Sequence, residues 1–449
     1  MEGILFGLSR LRGGGVDAAF LLQFTERRSR DVHQHQNRVR LLRRGARVRI
    51  LAVVSYFPLP QDHGDALRCL MMLQALDRVG SLTIAAAHRV ATTEADVQAL
   101  RSMFPDSRVL VEALAPYSGP SKAAKISRTL IGVTRGLPPW VYRQWSPSLA
   151  RAVNALDPTD FDFVVLIGES SGLYARSIRG PRVVWDKSNV LLATDLHTIR
   201  VAGSAGARLR SLITLPFTWS FEKRILRRSD DVWVTTVEEG QRLERFYGRN
   251  AAAVIPSCVT ISSDPVEIDT SSKTIVWMST LSYRPNWDGL RSFLTANAEA
   301  LHETGWTVRV VGAGGSPTHA RHLSEYPCVE YLGFVPELTD AFVGVAFAIV
   351  PLWSGAGVKL KTLTFLGYGV PVVSTAIGME GIPLDAATAL FDTPEDFSSI
   401  APTLTPEVLR AGALRGRLRV VEQFSPESFL TYAHSAVSAE HHNQPDTRL

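Results

Sequence analysis

From Arg47 onward, apolar runs alternate with segments of helical periodicity. The stretch "RVRILAVVSYFPLP" (47–60) is a strand pattern that ends in a proline-rich loop. "ALRCLMMLQALDRVG" follows with apolar residues at helical spacing and Gly80 as its stop, and "SLTIAAAH" is a second strand. A β–loop–α–β unit of this kind is the building block of a parallel sheet covered by helices. The alternation continues through "FDFVVLIGES", a buried strand ending at Gly168-Glu169-Ser170, and through "RVVWDKSNV". "SFEKRILRRSDDVWVTTVEEGQRLERFYG" is helix, strand, helix, with Thr236 and Glu239 spaced as a capping box for the last helix. The short strand "AAVIPSCV" closes this half.

The polar stretch "TISSDPVEIDTSSK" is the best linker in the chain, and the pattern restarts after it. "TIVWMST", "WTVRVVGAGG", "CVEYLGFV", "FAIVPLW" and "VPVVST" are strands, and "PNWDGLRSFLTANAEALHETG" is a helix. The expected fold class is α/β, with two doubly wound, Rossmann-like domains facing a cleft. Residues 48–262 form an N-terminal, acceptor-side domain and 263–436 a C-terminal, nucleotide-binding one, with a tail over 437–449. Residues 1–47 are expected to be a disordered basic extension. Ligands in such sheets bind beyond the carboxyl ends of the strands.

Composition changes this picture little. The 449 residues are 45% hydrophobic and 20% charged, as in an ordinary globular protein of two or three domains. The net charge of +5 is uneven: residues 1–47 hold ten arginines and four acidic residues, whereas the rest holds 38 basic and 39 acidic. The basic arm suits a weak attraction to anionic lipid, hence a peripheral membrane contact, while the near-neutral body argues against nucleic acid as a partner. Cys69, Cys258 and Cys328 are too far apart for a zinc or redox motif and fit buried thiols in a reducing compartment. The longest strongly apolar stretch, "AFVGVAFAIVPLW", is too short to span a bilayer, and no secretory signal is recognisable. A cytoplasmic protein, peripheral at the inner membrane face, is the expectation.

The chemistry concentrates in "PLWSGAGVKLKTLTFLGYGVPVVST" (351–375). Gly355, Ala356 and Gly357 let backbone N–H groups approach a ligand, and the helix that follows aims its N-terminal dipole at the same point, which suits a phosphate or diphosphate. Lys359 and Lys361 at a helix start are unfavourable there without an anion. On that helix Gly357, Lys361 and Thr364 share one stripe. An ordinary βα turn with exposed lysines is the alternative. "VVGAGG" lacks the third glycine of a dinucleotide fingerprint, with Pro317 in its place, so a tight turn accounts better for Gly312 and Gly314. His63 and Gly64 in the first βα loop face the expected cleft, although His63 also fits a surface histidine. Glu169 is either an active-site carboxylate or a helix cap. No zinc constellation, Ser–His–Asp motif or Walker loop is present.

Taken together, "RILAVVSYFPLPQDHGDALR", "FEKRILRRSDDVWVTTVEEGQRL", "WMSTLSYRPNWDGLRSFL" and "PLWSGAGVKLKTLTFLGYGVPVVSTAIGMEGI" resemble the retaining GT-B-fold glycosyltransferases of glycosyltransferase family 4, over roughly residues 48–435. The resemblance implies transfer of a sugar from a nucleoside diphosphate sugar, a co-substrate in place of any cofactor, with retention and without metal. The acceptor would be a glycan, a lipid-linked or a small molecule. It implies that Lys361 and Arg284 neutralise the departing diphosphate. Gly355, Ala356, Gly357 and Lys359 would contact sugar and phosphates, Thr364 the ribose, and Phe334 and Val335 the base. His63, Gly64 and Glu169 would lie on the acceptor side. Four hallmark positions depart from the family pattern. Ala356 and Thr364 stand where two glutamates are usual, Ser188 where a histidine is, and Ser279 where a glycine is. A catalytically degenerate relative, acting as a partner or glycan-binding scaffold, is the alternative.

Overall fold

The computed structural model describes residues 48–442 except 55–56, 61–63, 89–91, 113–125, 127–130, 139–140, 142–143, 179, 202–204 and 356. The extension over 1–47, His63, Ala356 and the last seven residues therefore lie outside the described residues. From Val48 onward the chain forms one compact unit, built on two parallel sheets.

The first sheet holds β1 (Val48–Val54), β2 (Gly80–Ala87), β3 (Arg108–Glu112), β4 (Phe163–Ile167), β5 (Arg182–Lys187), β6 (Asp231–Val234) and β7 (Ala253–Val254). Their spatial order is β3-β2-β1-β4-β5-β6-β7. The second holds β8 (Thr274–Met278), β9 (Thr307–Val311), β10 (Val329–Gly333), β11 (Phe347–Val350), β12 (Val372–Ser374) and β13 (Ala389–Leu390), in the order β10-β9-β8-β11-β12-β13. The strands of β4 and β11 are apolar at every position and buried on both faces, as strands covered by helices on both sides must be. Each sheet reverses its winding beside its first strand, between β1 and β4 and between β8 and β11. A crevice opens beyond the strand ends at such a point. The sites described below lie there.

Two features differ from the sequence reading. Thr236 does cap the helix Val237–Tyr247 by accepting from the Glu239 amide at 3.1 Å, but Glu239 does not reach back. Its carboxylate accepts instead from the Val190 amide and from Arg242, because a buried carboxylate is held by the strongest donors within reach. The second difference concerns the chain's last helix, Pro426–His442, whose residues up to 436 were expected in the second domain. It lies along the first lobe's helix Gly64–Val79, and Phe429, Ala433, Ala436 and Val437 join the core under β1, β2 and β4. Its apolar stripe needs a partner, and the helix Gly64–Val79 supplies one. The stretch between the sheets follows the second lobe, with the Val266 amide donating to Tyr368 and the Asp269 amide to Val345.

Candidate active site

The glycine loop sits at the carboxyl end of β11, as a ligand-binding turn in a doubly wound sheet should. Gly355 and Gly357 have φ of 114° and 78°, a region in which any other residue is strained. The helix Leu360–Gly367 follows, and Lys359 at its N-cap supplies no side-chain cap. The Thr362 and Leu363 amides donate to the Lys359 carbonyl at 2.9 and 3.2 Å, so what the helix start can offer a ligand is the amides before them.

Lys361 is held at this entrance. Its Nζ donates to Asn286 Oδ1 at 2.7 Å and to Ser279 Oγ at 3.2 Å, and it lies 5.7 Å from the centre of the Trp277 ring. Both oxygens are neutral, and among the described residues Lys361 has no carboxylate partner. Burial first, and the nearby charge of Lys359 second, push its ammonium down to about 7. A cation held by dipoles alone in a half-buried position is a site whose charge is completed by an anion. Ser279, one of the departures from the family pattern, is one of its two holders.

Lys359 has a different setting. Its Nζ pairs with Glu380 at 3.1 Å and donates to the Gly357 carbonyl at 2.7 Å. Glu380 also receives Arg242 at 2.7 Å, and Arg242 in turn pairs with Glu239. This chain of charges crosses from the first lobe to the second and ends on the glycine loop. Lys359 is therefore already paired with a carboxylate, whereas among the described residues Lys361 is not.

The first lobe approaches closely. Gly64 opens the helix Gly64–Val79, and a Cβ there would stand 1.9 Å from Leu360 Cδ1. A Cβ on Gly357 would stand 2.5 Å from Asn189 Oδ1, a buried oxygen without a hydrogen-bond partner. The Gly355 amide points at His197 Nε2, 3.4 Å away. The four-residue stretch Asp186-Lys187-Ser188-Asn189 is fixed by buried ion pairs. Asp186 takes Arg68 in two contacts of 2.5 and 3.1 Å, and Lys187 pairs with Glu222. Glu169 accepts from the amides of Ser188 and Asn189 at 3.2 and 3.1 Å and makes no side-chain cap of its own helical turn, so its helix-cap alternative fails. Burial, and then the charge of Asp65, raise its carboxyl to about 7.

The other expected residues are placed as follows. Arg284 is exposed in the first turn of the helix Arg284–Glu303 and pairs with Asp288 at 3.1 Å. Its neighbour Pro285 faces Gly355. Phe334 is 70% exposed just beyond β10, and Val335 packs on the second lobe's core. Thr364 donates its hydroxyl to the Leu360 carbonyl at 2.9 Å, which leaves its oxygen free only to accept. Gly312 and Gly314 both have positive φ, in keeping with a tight turn, and the Gly312 amide donates to Gly333. The three cysteines are buried and are not joined in disulfides. Asn286, Arg242, Glu380 and His197 escaped the sequence reading. Asn286 lies inside the stretch "RPNWDG", two residues from Arg284, but local pattern does not show that its side chain reaches Lys361, and the other three meet the loop only through the fold. Among the described residues no cluster of His, Cys, Asp or Glu could hold a metal ion, and no helix is long and apolar enough to cross a membrane.

Residues 272–404 match the family Glycosyl transferases group 1. No curated protein matches the chain by sequence. Among solved structures, Anabaena HepE in complex with UDP and glucose superposes with a TM-score of 0.58 at 13% identity, covering 87% of this chain and all of that one. WaaG, a glycosyltransferase involved in lipopolysaccharide biosynthesis, gives 0.55 at 14% identity over 87% and 99%. A glycosyltransferase from Rickettsia africae gives 0.55 at 12% over 89% and 100%. At these identities the likeness is one of fold. The chain has the GT-B architecture and resembles the glycosyltransferases that share it.

Proposed function

We propose that this GT-B chain, with its match to Glycosyl transferases group 1 over 272–404, is a glycosyltransferase. It moves a sugar from a nucleoside diphosphate sugar to an acceptor with retention of configuration and without a metal. One observation carries the proposal most: Lys361, held by Ser279 and Asn286 without a counter-ion, stands at an uncapped helix start behind a glycine loop. As the glycosyl bond breaks, the diphosphate gains negative charge. A fixed cation and aimed N–H groups stabilise that developing charge more than the ground state, and so lower the barrier. The UDP and UDP-glucose bound to HepE support a uridine nucleotide as the first donor to try. The half-buried wall of Glu169, Asn189 and Gly64 is the acceptor side in this proposal.

The test is release of nucleoside diphosphate from a panel of uridine, guanosine and adenosine diphosphate sugars, offered with glycan, lipid-linked and small-molecule acceptors, with and without a chelator. Turnover in at least one pairing, unaffected by the chelator, is expected. The competing reading is a degenerate scaffold, favoured by the neutral Thr364 whose hydroxyl proton is already committed. Nucleotide binding without turnover in any pairing would decide for it. The absence of nucleotide binding would sink the transferase and leave the scaffold, which needs only its partner or glycan.

A further inference from the structure

The long helix Ala205–Leu226 has one face that packing leaves unused. Its inner side is settled. Phe221 and Ile225 are buried in the first lobe's core, Thr218 donates to Asp195 at 2.7 Å, and Glu222 is sealed against Lys187. On the outer side Leu209, Leu212, Ile213 and Trp219 are 59, 47, 58 and 42% exposed. At about 100° per residue they fall on one stripe roughly 120° wide, together with Pro216 and Lys223. Four large apolar side chains in one exposed row, where a solvated helix carries polar ones, are the signature of a surface that meets something.

The charges around the stripe say what. Between 196 and 228 the chain has seven basic residues and one acidic residue, and that acid, Glu222, is buried. Arg224 turns inward onto the Gly136 carbonyl. Lys223 lies over the Trp219 ring at 4.2 Å. Among the described residues Arg208, Arg210, Arg227 and Arg228 have no carboxylate partner, and Arg208 makes one bond, from its Nε to the Ile199 carbonyl at 3.2 Å. A second exposed row, Leu414, Leu418 and Val421 on the helix Pro406–Phe424, lacks this match. Arg415 and Arg417 there are each held by two backbone carbonyls, and Arg419 is paired with Asp385 and Glu422.

We propose that the outer face of Ala205–Leu226 docks on an anionic lipid surface. Leu209, Leu212, Ile213 and Trp219 enter the headgroup boundary, and Arg208, Arg210, Arg227 and Arg228 take the lipid charges. Helices with an apolar stripe and unpaired basic flanks bind in this way. A second copy fits worse, because a two-fold contact through this stripe would set arginines against arginines. The helix packs along Leu191–Val201, whose His197 faces the glycine loop. The inference stands apart from the proposed transfer and holds whether or not the site turns over.

Flotation of the full chain with phosphatidylcholine vesicles, and with vesicles carrying about one phosphatidylglycerol in three, tests it. Binding to the anionic vesicles only is expected. The exposed double variants Leu212→Ser/Ile213→Ser and Arg208→Glu/Arg210→Glu should each bind about tenfold more weakly or worse, with unchanged melting temperature as the control for folding. Equal binding by the Leu212→Ser/Ile213→Ser variant would assign the attraction to another surface, such as the arginine-rich residues 1–47, and overturn the proposal. So would failure of the full chain to bind. A concentration-dependent dimer that the same variant abolishes would give the face to a second copy and overturn it equally.

Discussion

Lys361 shows how a single ammonium can report on the whole site. Burial and Lys359 hold it at about 7, against an ordinary 10.5. An anion beside it attracts the charged form and so opposes both causes; between those two values nucleotide binding takes up a proton and weakens as pH rises above 7. Calorimetry at pH 8 in buffers of different ionisation enthalpy should register that uptake, and Lys361→Ala should abolish it along with most of the thermal shift given by UDP. The unliganded protein behaves in the opposite sense. Over the same window the unfolded chain binds more protons than the folded one, so stability rises with pH and Lys361→Met should flatten that rise. Thr364 is a second residue-scale test. As a neutral acceptor it holds a ribose hydroxyl about half as strongly as a carboxylate, so Thr364→Glu should tighten UDP binding. Unchanged or weaker affinity would mean the ribose lies elsewhere.

Among elements, the glycine loop and the charge chain behind it act together. Glu380 joins Arg242 of the first lobe to Lys359 of the loop. Removing that carboxylate leaves a buried lysine unpaired, so Glu380→Ala should cost about 2–3 kcal/mol in urea unfolding, below the figure for a fully buried pair because Glu380 is half-buried. The same variant should loosen the loop and weaken donor binding, where a merely structural surface pair would not. Gly357→Ala tests the other side of the seam. Its Cβ would meet Asn189 Oδ1 at 2.5 Å on a backbone of φ 78°, and the left-handed conformation alone costs about 1–2 kcal/mol. Lowered melting temperature and lost nucleotide binding are expected together.

For the molecule as a whole, the last helix ties the end of the chain to its beginning. Phe429 is buried beneath the first sheet, with the Arg68 guanidinium 5.6 Å from its ring centre. Phe429→Ala should destabilise by about 3–5 kcal/mol, and the loss should appear in protection of the first lobe's amides, although the residue lies at the far end of the sequence. Eleven of the thirteen described strands, the loop at 355–357 and the lysines after it were legible in the sequence, because each rests on local pattern: period, glycine, and charge at a helix start. β3, a half-buried edge strand, and the two-residue β13 carry too weak a pattern and were missed. The destination of Pro426–His442 was not legible, since its amphipathic stripe fits any apolar helix and only packing selects the helix Gly64–Val79.

The same division holds for the site. Sequence by itself determined the α/β alternation, the diphosphate-suited turn and the odd neutral residues at 279 and 364, because backbone conformation and helix dipoles act within a few residues. Only the tertiary structure decided that Ser279 and Asn286 hold Lys361, that Glu380 neutralises Lys359, and that Asn189 and His197 close on the glycines. These contacts join residues from 21 positions apart (Lys359 and Glu380) to 168 (Asn189 and Gly357). Charge pairing and desolvation depend on distance in space, which local pattern leaves open until the two lobes meet.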